Sequence, residues 1–248
     1  MTPESPAQTK SISGPEKAAR ETKESKRRQE IRKAVGVEVV DVEGMLPRPI
    51  VNGSREFMLD SLLYERGKAI RTTPRGEKAV LQAEIKMPTI LQMFSAPLGI
   101  TLSEKDTPHI AEYLSTTIKY GRESIENAKN NFRRQRPYQY FGQPSGVPGK
   151  ERPKDFTSYP SGHALRGWIS AMALSAIAPE YADALFKAGY EYGQNRVIVG
   201  YHFQSDVDAG RMAAAISYSA LSGDGKWLKL QKKARKELEK KLRKARIK

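Results

Sequence analysis

The sequence predicts an all-α fold, on three observations. Apolar residues recur at three- and four-residue steps through the centre of the chain, no alternating strand pattern rivals them, and prolines and glycines fall between the periodic segments. The expected product is one compact multi-helix domain over 54–223 with charged N- and C-terminal extensions, and 248 residues suffice for a sizeable core.

Taken in order, residues 1–14 are rich in Pro, Ser and Thr and read as disordered. The charged stretch Pro15 to Val35 has few apolar positions, so 1–35 reads as a solvated arm, disordered or helical. Residues 36–53 join a β-branched run, Val37 to Val42, to Gly44, Pro47, Pro49 and Gly53, and read as an extended lead-in. A first helix is expected over Phe57 to Ile70, with Phe57, Leu59, Leu62, Leu63 and Ile70 as its apolar face. Two more follow over Glu77 to Ile85 and Thr89 to Ala96, with Pro88 and Pro97 as punctuation. One long helix is expected over Thr107 to Asn131, because Ile110, Leu114, Ile118, Gly121, Ile125 and Ala128 form a single stripe, and its end delivers Lys129. A Pro- and Gly-rich loop, Pro137 to Pro160, carries Tyr138, Tyr140, Phe141 and Tyr159, which suit either packing or stacking on an aromatic leaving group. Helices over Ser161 to Ile177, Pro179 to about Val199 and Ser205 to Ser222 complete the domain, the last stopped by Gly223.

The tail 224–248 sets Trp227, Leu230, Ala234, Leu238, Leu242 and Ala245 along one seam of a basic amphipathic helix. Such a helix docks on its own domain or a second subunit, or contacts an anionic surface such as a membrane or nucleic acid. The net charge of +15 is concentrated at the ends: residues 226–248 hold 12 Lys/Arg against 2 Asp/Glu, and 15–33 hold 8 against 4. The basicity therefore says little about the central domain. With no cysteine, disulfides, thiol catalysis and thiolate metal sites are excluded. Met1 to Lys33 lacks the apolar core of a secretory signal. The longest apolar run, Ala164 to Ile177, is interrupted by Arg166 and falls short of the ~20 residues a membrane-spanning helix needs, so no integral membrane segment is expected.

Three segments carry chemistry. Arg196, His202 and Asp206 stand in a tight order, and on a helix the four-residue step from His202 to Asp206 puts a carboxylate beside the ring. A carboxylate on one ring nitrogen leaves the other free as a nucleophile or a metal ligand. Lys129 and Arg136 supply cations. Pro160-Ser161-Gly162-His163 reads as a helix start with Ser161 as N-cap, whose free amides at Gly162 and His163 favour an anion. Arg133, Arg134, Arg152 and Lys154 lie near these segments and read as solvated surface charge. His109 has no matching partner and reads as a surface residue. No Gly-x4-Gly-Lys-Ser/Thr loop, Cys-x5-Arg or His-Glu-x2-His pattern occurs, so competing hydrolase designs lack their nucleophile or metal.

Together the segments resemble the signature of the type 2 phosphatidic acid phosphatase superfamily: Lys-x6-Arg-Pro, Pro-Ser-Gly-His, then Ser-Arg-x5-His-x3-Asp. Asn195 departs from it, standing where the signature has Ser. The text around Tyr159 and from Gly200 to Asp208 is similar to bacterial class A nonspecific acid phosphatases. The resemblance implies an all-α bundle like those of acid phosphatases and vanadium haloperoxidases, and a metal-independent phosphatase of broad range acting on small phosphate monoesters. It implies His202 as nucleophile forming a phosphohistidine, Asp206 stabilising the charged ring, and His163 as general acid, whose protonation sets an acid optimum. Lys129, Arg136, Ser161, Gly162 and Arg196 are implied to bind phosphate. No cofactor is implied; vanadate would inhibit or, on the haloperoxidase alternative, serve as prosthetic group. The rival from another class is a basic protein whose tails bind nucleic acid or membrane. A homodimer or higher homo-oligomer in the periplasm or secreted is likewise implied, with the cytoplasm left open because no signal peptide is visible.

Overall fold

A computed structural model describes residues 26–246, and among these the regular structure is helical, with no strand. Residues 26–34 are helical (α1). There follow α2 (Met58–Ala69), α3 (Pro74–Leu81), α4 (Met87–Leu98), α5 (Pro108–Ser124), α6 (Glu126–Phe132) and α7 (Pro137–Tyr140). The chain continues through α8 (Gly162–Ser175), α9 (Ala182–Ile198), α10 (Gln204–Leu221) and α11 (Gly225–Arg246), with short 3₁₀ turns at Glu43–Met45 and Pro179–Tyr181. No helix among the described residues is long and apolar enough to cross a membrane.

The centre is α8, whose Leu165, Ile169, Ala171, Ala173 and Leu174 are all buried. It packs on α9, α10 and α5. The α8–α9 crossing is close because Gly167 faces Gly189: a Cβ at Gly167 would sit 2.7 Å from the Gly189 carbonyl oxygen, and the reverse approach would be 2.6 Å. Only two glycines allow backbones to approach this far.

The expected Thr107 to Asn131 helix is two helices, broken at Ile125. The cause is tertiary. The carbonyl of Ser124 accepts from the Val42 amide at 3.2 Å, while the Ser124 hydroxyl donates back to the Gly121 carbonyl at 2.8 Å. Both bonds divert the helical ladder at that residue. In α4, Pro97 does not end the helix. It sits in the last turn, and the stop comes two residues later from Gly99 in left-handed backbone, φ 64°. In α2 the expected face is only partly kept: Phe57 is buried and Leu63 and Ile70 are half-buried against the core, but Leu59 and Leu62 are exposed, and Asp60, Tyr64 and Gly67 form a buried stripe.

Residues 1–25 of the expected arm lie outside the described residues. The remainder is no solvated arm, since Ile31 and Val35 are buried in the main core. The 36–53 lead-in is tied to α5: Val40 N donates to the Tyr120 hydroxyl at 3.1 Å, and that hydroxyl donates to the Glu38 carbonyl at 2.7 Å. The basic tail helix docks on its own domain. On α5, Trp227 Nε1 donates to Thr117 Oγ1 at 2.8 Å, and Glu237 accepts from the Ile110 amide at 2.9 Å.

Candidate active site

Helix ends and one turn assemble the site. After α6, Arg133 takes left-handed backbone (φ 47°), and the chain turns to present Arg134 and Arg136 before α7. α8 starts behind Ser161, whose Oγ accepts from the Ala164 amide at 3.4 Å. After α9, Gly200 (φ 67°) turns the chain back to His202 and α10. A side chain there would be strained by the backbone and would meet Arg71 Nη2 at 2.2 Å.

Arg136, His163, Arg196 and Tyr201 line a cavity of about 300 Å³. Arg136 is fully engaged. Its Nε pairs with Asp155 at 3.0 Å, its Nη2 donates to the Thr157 carbonyl at 3.3 Å, and its Nη1 donates to the Tyr201 carbonyl at 3.1 Å and lies 3.2 Å from His202 Nε2. Lys129 Nζ donates to the same Thr157 carbonyl at 2.7 Å. The guanidiniums of Arg196 and Arg136 stand over the Tyr201 ring at 4.6 and 5.3 Å. Lys129, Arg136, Arg196, His163 and His202 therefore converge. Ser161 and Gly162 are buried and not among the residues lining that cavity, and Ser161 Oγ accepts from its own helix end.

Arg196 is the exception to saturation. It is 3% exposed, yet its Nε and Nη1 have no hydrogen-bond partner among the described residues. Burial, and then Arg136, bring its pKa down to about 10. Burial also pushes Lys129 well below the usual lysine range, aided by Arg136 and Arg122. Asp155 goes the other way: burial alone would raise it, but Arg136 and Thr157 overcome this and hold it at about 2. A buried cation with unpaired donors, among others of like charge, is a site for an anion.

His202 is buried, and burial lowers its pKa well below the ordinary value, with Arg136, Lys129 and Arg196 adding to the shift and the Ser158 backbone opposing it. The ring is thus neutral, and with Arg136 donating toward Nε2 the lone pair is on that nitrogen. The expected His202–Asp206 hydrogen bond is absent: Nδ1 and Oδ2 are 3.7 Å apart. The physical reason is that Asp206 is already committed. It accepts from Arg134 Nη1 at 2.6 Å, from the Ser158 hydroxyl at 2.6 Å and from the Phe203 amide at 2.9 Å. Ser158, whose Oγ is 3.5 Å from Nδ1, stands between carboxylate and ring.

His163 is half-buried, with Nε2 3.0 Å from the Ala83 carbonyl. Burial lowers its pKa well below the ordinary value, followed by Arg196 and Arg166, against the pull of the Ala83 carbonyl. Among the described residues no group of three or more His, Asp or Glu side chains is arranged to hold a metal ion.

Residues 112–223 match the PAP2 superfamily, a span from α5 to just past α10 that includes all three motif segments. The chain is 38% identical over 205 residues to the non-specific acid phosphatase of Providencia stuartii, covering 82% of this chain and 83% of that one. Against the non-specific acid phosphatase of Salmonella typhi the identity is 37% over 204 residues, 81% of each. The acid phosphatase of Zymomonas mobilis is 30% identical over 196 residues, 79% of this chain and 74% of that one. The chain belongs to the class A nonspecific acid phosphatases of the PAP2 superfamily.

Within that family frame, sequence reasoning misses several residues around the site. Arg133, Arg152 and Lys154 are exposed, but Arg134 is not the solvated charge expected of it. It is buried, bridging Asp206 to Asp60 through an Nη2–Oδ2 contact of 2.9 Å. Asp60 in turn accepts from the Ser205 amide at 2.8 Å, fixing the start of α10. Tyr201 and Ser158 carry no motif spacing that would have singled them out. Of the loop aromatics, Tyr159 is core and Tyr138 is buried against Tyr201, with ring centroids 5.2 Å apart.

Proposed function

We propose that this chain hydrolyses phosphate monoesters at acid pH without a metal ion, through a phosphohistidine at His202. The observation that carries the reading is the buried guanidinium of Arg196 with two unpaired donors, facing the same cavity as Arg136 and His163. A phosphate dianion there takes both Arg196 donors in the planar fashion that guanidinium favours. It also draws Arg136 Nη1 away from His202 Nε2 and so frees that lone pair.

The neutral His202 Nε2 then attacks phosphorus, the P–O bond to the leaving group breaks, and His163 gives its proton to the departing oxygen. In the second step water attacks the phosphohistidine, His163 takes a proton from that water, and phosphate leaves with His202 restored. Lys129, Arg136 and Arg196 hold the equatorial oxygens, supplying the charge stabilisation that phosphoryl transfer chiefly needs. The Gly162 amide at the start of α8 adds to this field. Asp206 acts through Ser158 and the turn before α10, holding the ring in orientation.

Burial holds the pKa of His163 low, and a bound phosphoryl dianion supplies the negative charge that raises it. Protonation for catalysis is therefore coupled to substrate binding and favoured at acid pH. The test is His202→Ala against p-nitrophenyl phosphate, with and without chelator, together with trapping of labelled phosphoenzyme in the parent chain. Turnover is expected to vanish in the variant, and the acid-labile label to be absent from it. Hydrolysis surviving in His202→Ala would refute the mechanism.

A further inference from the structure

The outer face of α11 takes no part in the site described above. Six lysines recur along it at steps of three and four: Lys226, Lys229, Lys233, Lys236, Lys240 and Lys244, all exposed. At 3.6 residues per turn they fall in an arc of about 80°, and at 1.5 Å per residue they extend over about 27 Å. Exposed Lys232 and Arg243 widen the arc to about 120°. The opposite face carries Trp227, Ala234, Leu238 and Leu242, buried in the main core. Neither acid of the helix offsets the stripe, since Glu237 is turned to the Ile110 amide at 2.9 Å and Glu239 falls outside the arc. None of the six lysines is ion-paired within the described residues.

We propose that this face of α11 is an electrostatic docking surface for an anionic phospholipid bilayer. Three features select a plane of lipid headgroups. The helix is held rigid by its buried face, so the lysines are ordered in advance and a flat surface meets all of them at once. The phosphate ribbons of a DNA duplex turn once in roughly 34 Å and would diverge from a straight stripe of about 27 Å. The cations are nearly all lysine, suited to diffuse attraction rather than to the two-point phosphate contact that arginine makes. No large apolar side chain lies within the arc, so the helix rests on the headgroups without inserting.

The test uses the full chain, sedimented with vesicles of phosphatidylcholine alone or with phosphatidylglycerol added, at low and high salt. A second protein carries Lys229→Gln, Lys233→Gln, Lys236→Gln and Lys240→Gln. These side chains are exposed, so helicity and hydrolysis of p-nitrophenyl phosphate are expected to stay unchanged. Binding to the anionic vesicles alone, lost at high salt, is expected. Each surface lysine strengthens such binding about fivefold, so the fourfold variant should partition at least a hundred times more weakly. No sedimentation at low salt, or equal sedimentation of the variant, would overturn the proposal. So would stripe-dependent binding to duplex DNA stronger than to the vesicles.

Discussion

Replacing Arg134 tests the interior support of the site, because its side chain never reaches the cavity. Arg134→Met keeps most of the stem and removes the guanidinium that bridges Asp60 and Asp206, two carboxylates that are 2% and 0% exposed. With it go the hydrogen bonds to Asp206 at 2.6 Å, Ser205 Oγ at 2.7 Å and Asp60 at 2.9 Å, and the stacking over Phe203 at 4.5 Å. Removing one partner of a buried ion pair costs about 3–5 kcal/mol, because the other charge stays buried and uncompensated. Both carboxylates keep other donors, Ser205 for Asp60, and Ser158 and Phe203 for Asp206, so the cost stays within that range rather than doubling. At about 2–4 °C per kcal/mol for a chain of this size, the melting temperature should fall by roughly 10 °C. Pairing Arg134→Met with Asp60→Leu removes one stranded charge and should recover part of the loss. In the kinetics, kcat should drop with KM little changed, since Asp206 and the turn bearing His202 shift while Arg196 does not. A melting shift below about 2 °C, on a scale of 2–4 °C per kcal/mol, would mean that the bridge contributes almost nothing and the reasoning fails.

Two further outcomes follow from the same geometry. His202 and His163 are both held neutral, by burial first and by neighbouring cations second. Their folded pKa values lie below the unfolded value, so the unfolded chain binds more protons as pH falls below about 6.5, and the empty protein must lose stability there, by up to about 1.4 kcal/mol per pH unit for each ring. Asp155, at about 2, contributes stability that is present above 3.8 and lost only toward that lower value, so it leaves the window between 4 and 6.5 to the histidines. Thermal melts without phosphate should decline from pH 7 to 5, and added phosphate should stabilise more at pH 5. A flat profile would contradict the placement of the rings. The second outcome concerns Asn195, which accepts from Arg75 Nη1 at 2.6 Å and donates to Gln82 Oε1 at 2.6 Å. Asn195→Ser restores the signature residue but is too short to span both, so amide exchange at Gln82 and Ala83, which donate to the Lys78 and Val80 carbonyls just before the Ala83 carbonyl meets His163, should quicken at least tenfold. Unchanged exchange would show that Asn195 is no tether.

Local pattern made the helices and the three motifs legible, because both are written in short spacings. What escaped depends on partners distant in sequence. Between Thr107 and Asn131 only Ser124 contributes to the break at Ile125, through its bond back to Gly121, and the other competing bond comes from Val42 in the lead-in. Likewise the run Arg133-Arg134-Gln135-Arg136 cannot reveal that its second arginine is buried until Asp60 is known to face it from α2. A signal for that did exist. Asp60, Tyr64 and Gly67 follow a four- and three-residue step, a stripe as regular as the apolar one chosen instead, and an acid on a stripe with an aromatic and a glycine marks a helix that buries a polar anchor. The His202–Asp206 spacing misled for a related reason: His202 lies in the turn ahead of α10 rather than on it, and three other donors reach the carboxylate first.

The arginines of the site separate by how far their donors are satisfied. Arg134 has two carboxylates and a hydroxyl, and each guanidinium nitrogen finds an acceptor within the fold. Arg136 is also satisfied, but one of its partners is the His202 ring nitrogen that the proposed mechanism releases, so on that reading its saturation is provisional. Arg196 is as buried as either and leaves two donors unmet. Burial of a charge is tolerated only when something compensates it, and like-charged neighbours at Arg136 and Lys129 worsen the deficit rather than relieve it. The fold therefore holds a region whose electrostatics improve on binding an anion, and the depressed proton affinities of Lys129, Arg196, His163 and His202 are four expressions of that one deficit. On the proposed mechanism an oxyanion in the cavity relieves the deficit first at Arg196 and His163, which line it, so affinity for phosphate and the proton affinity of His163 should rise as linked quantities.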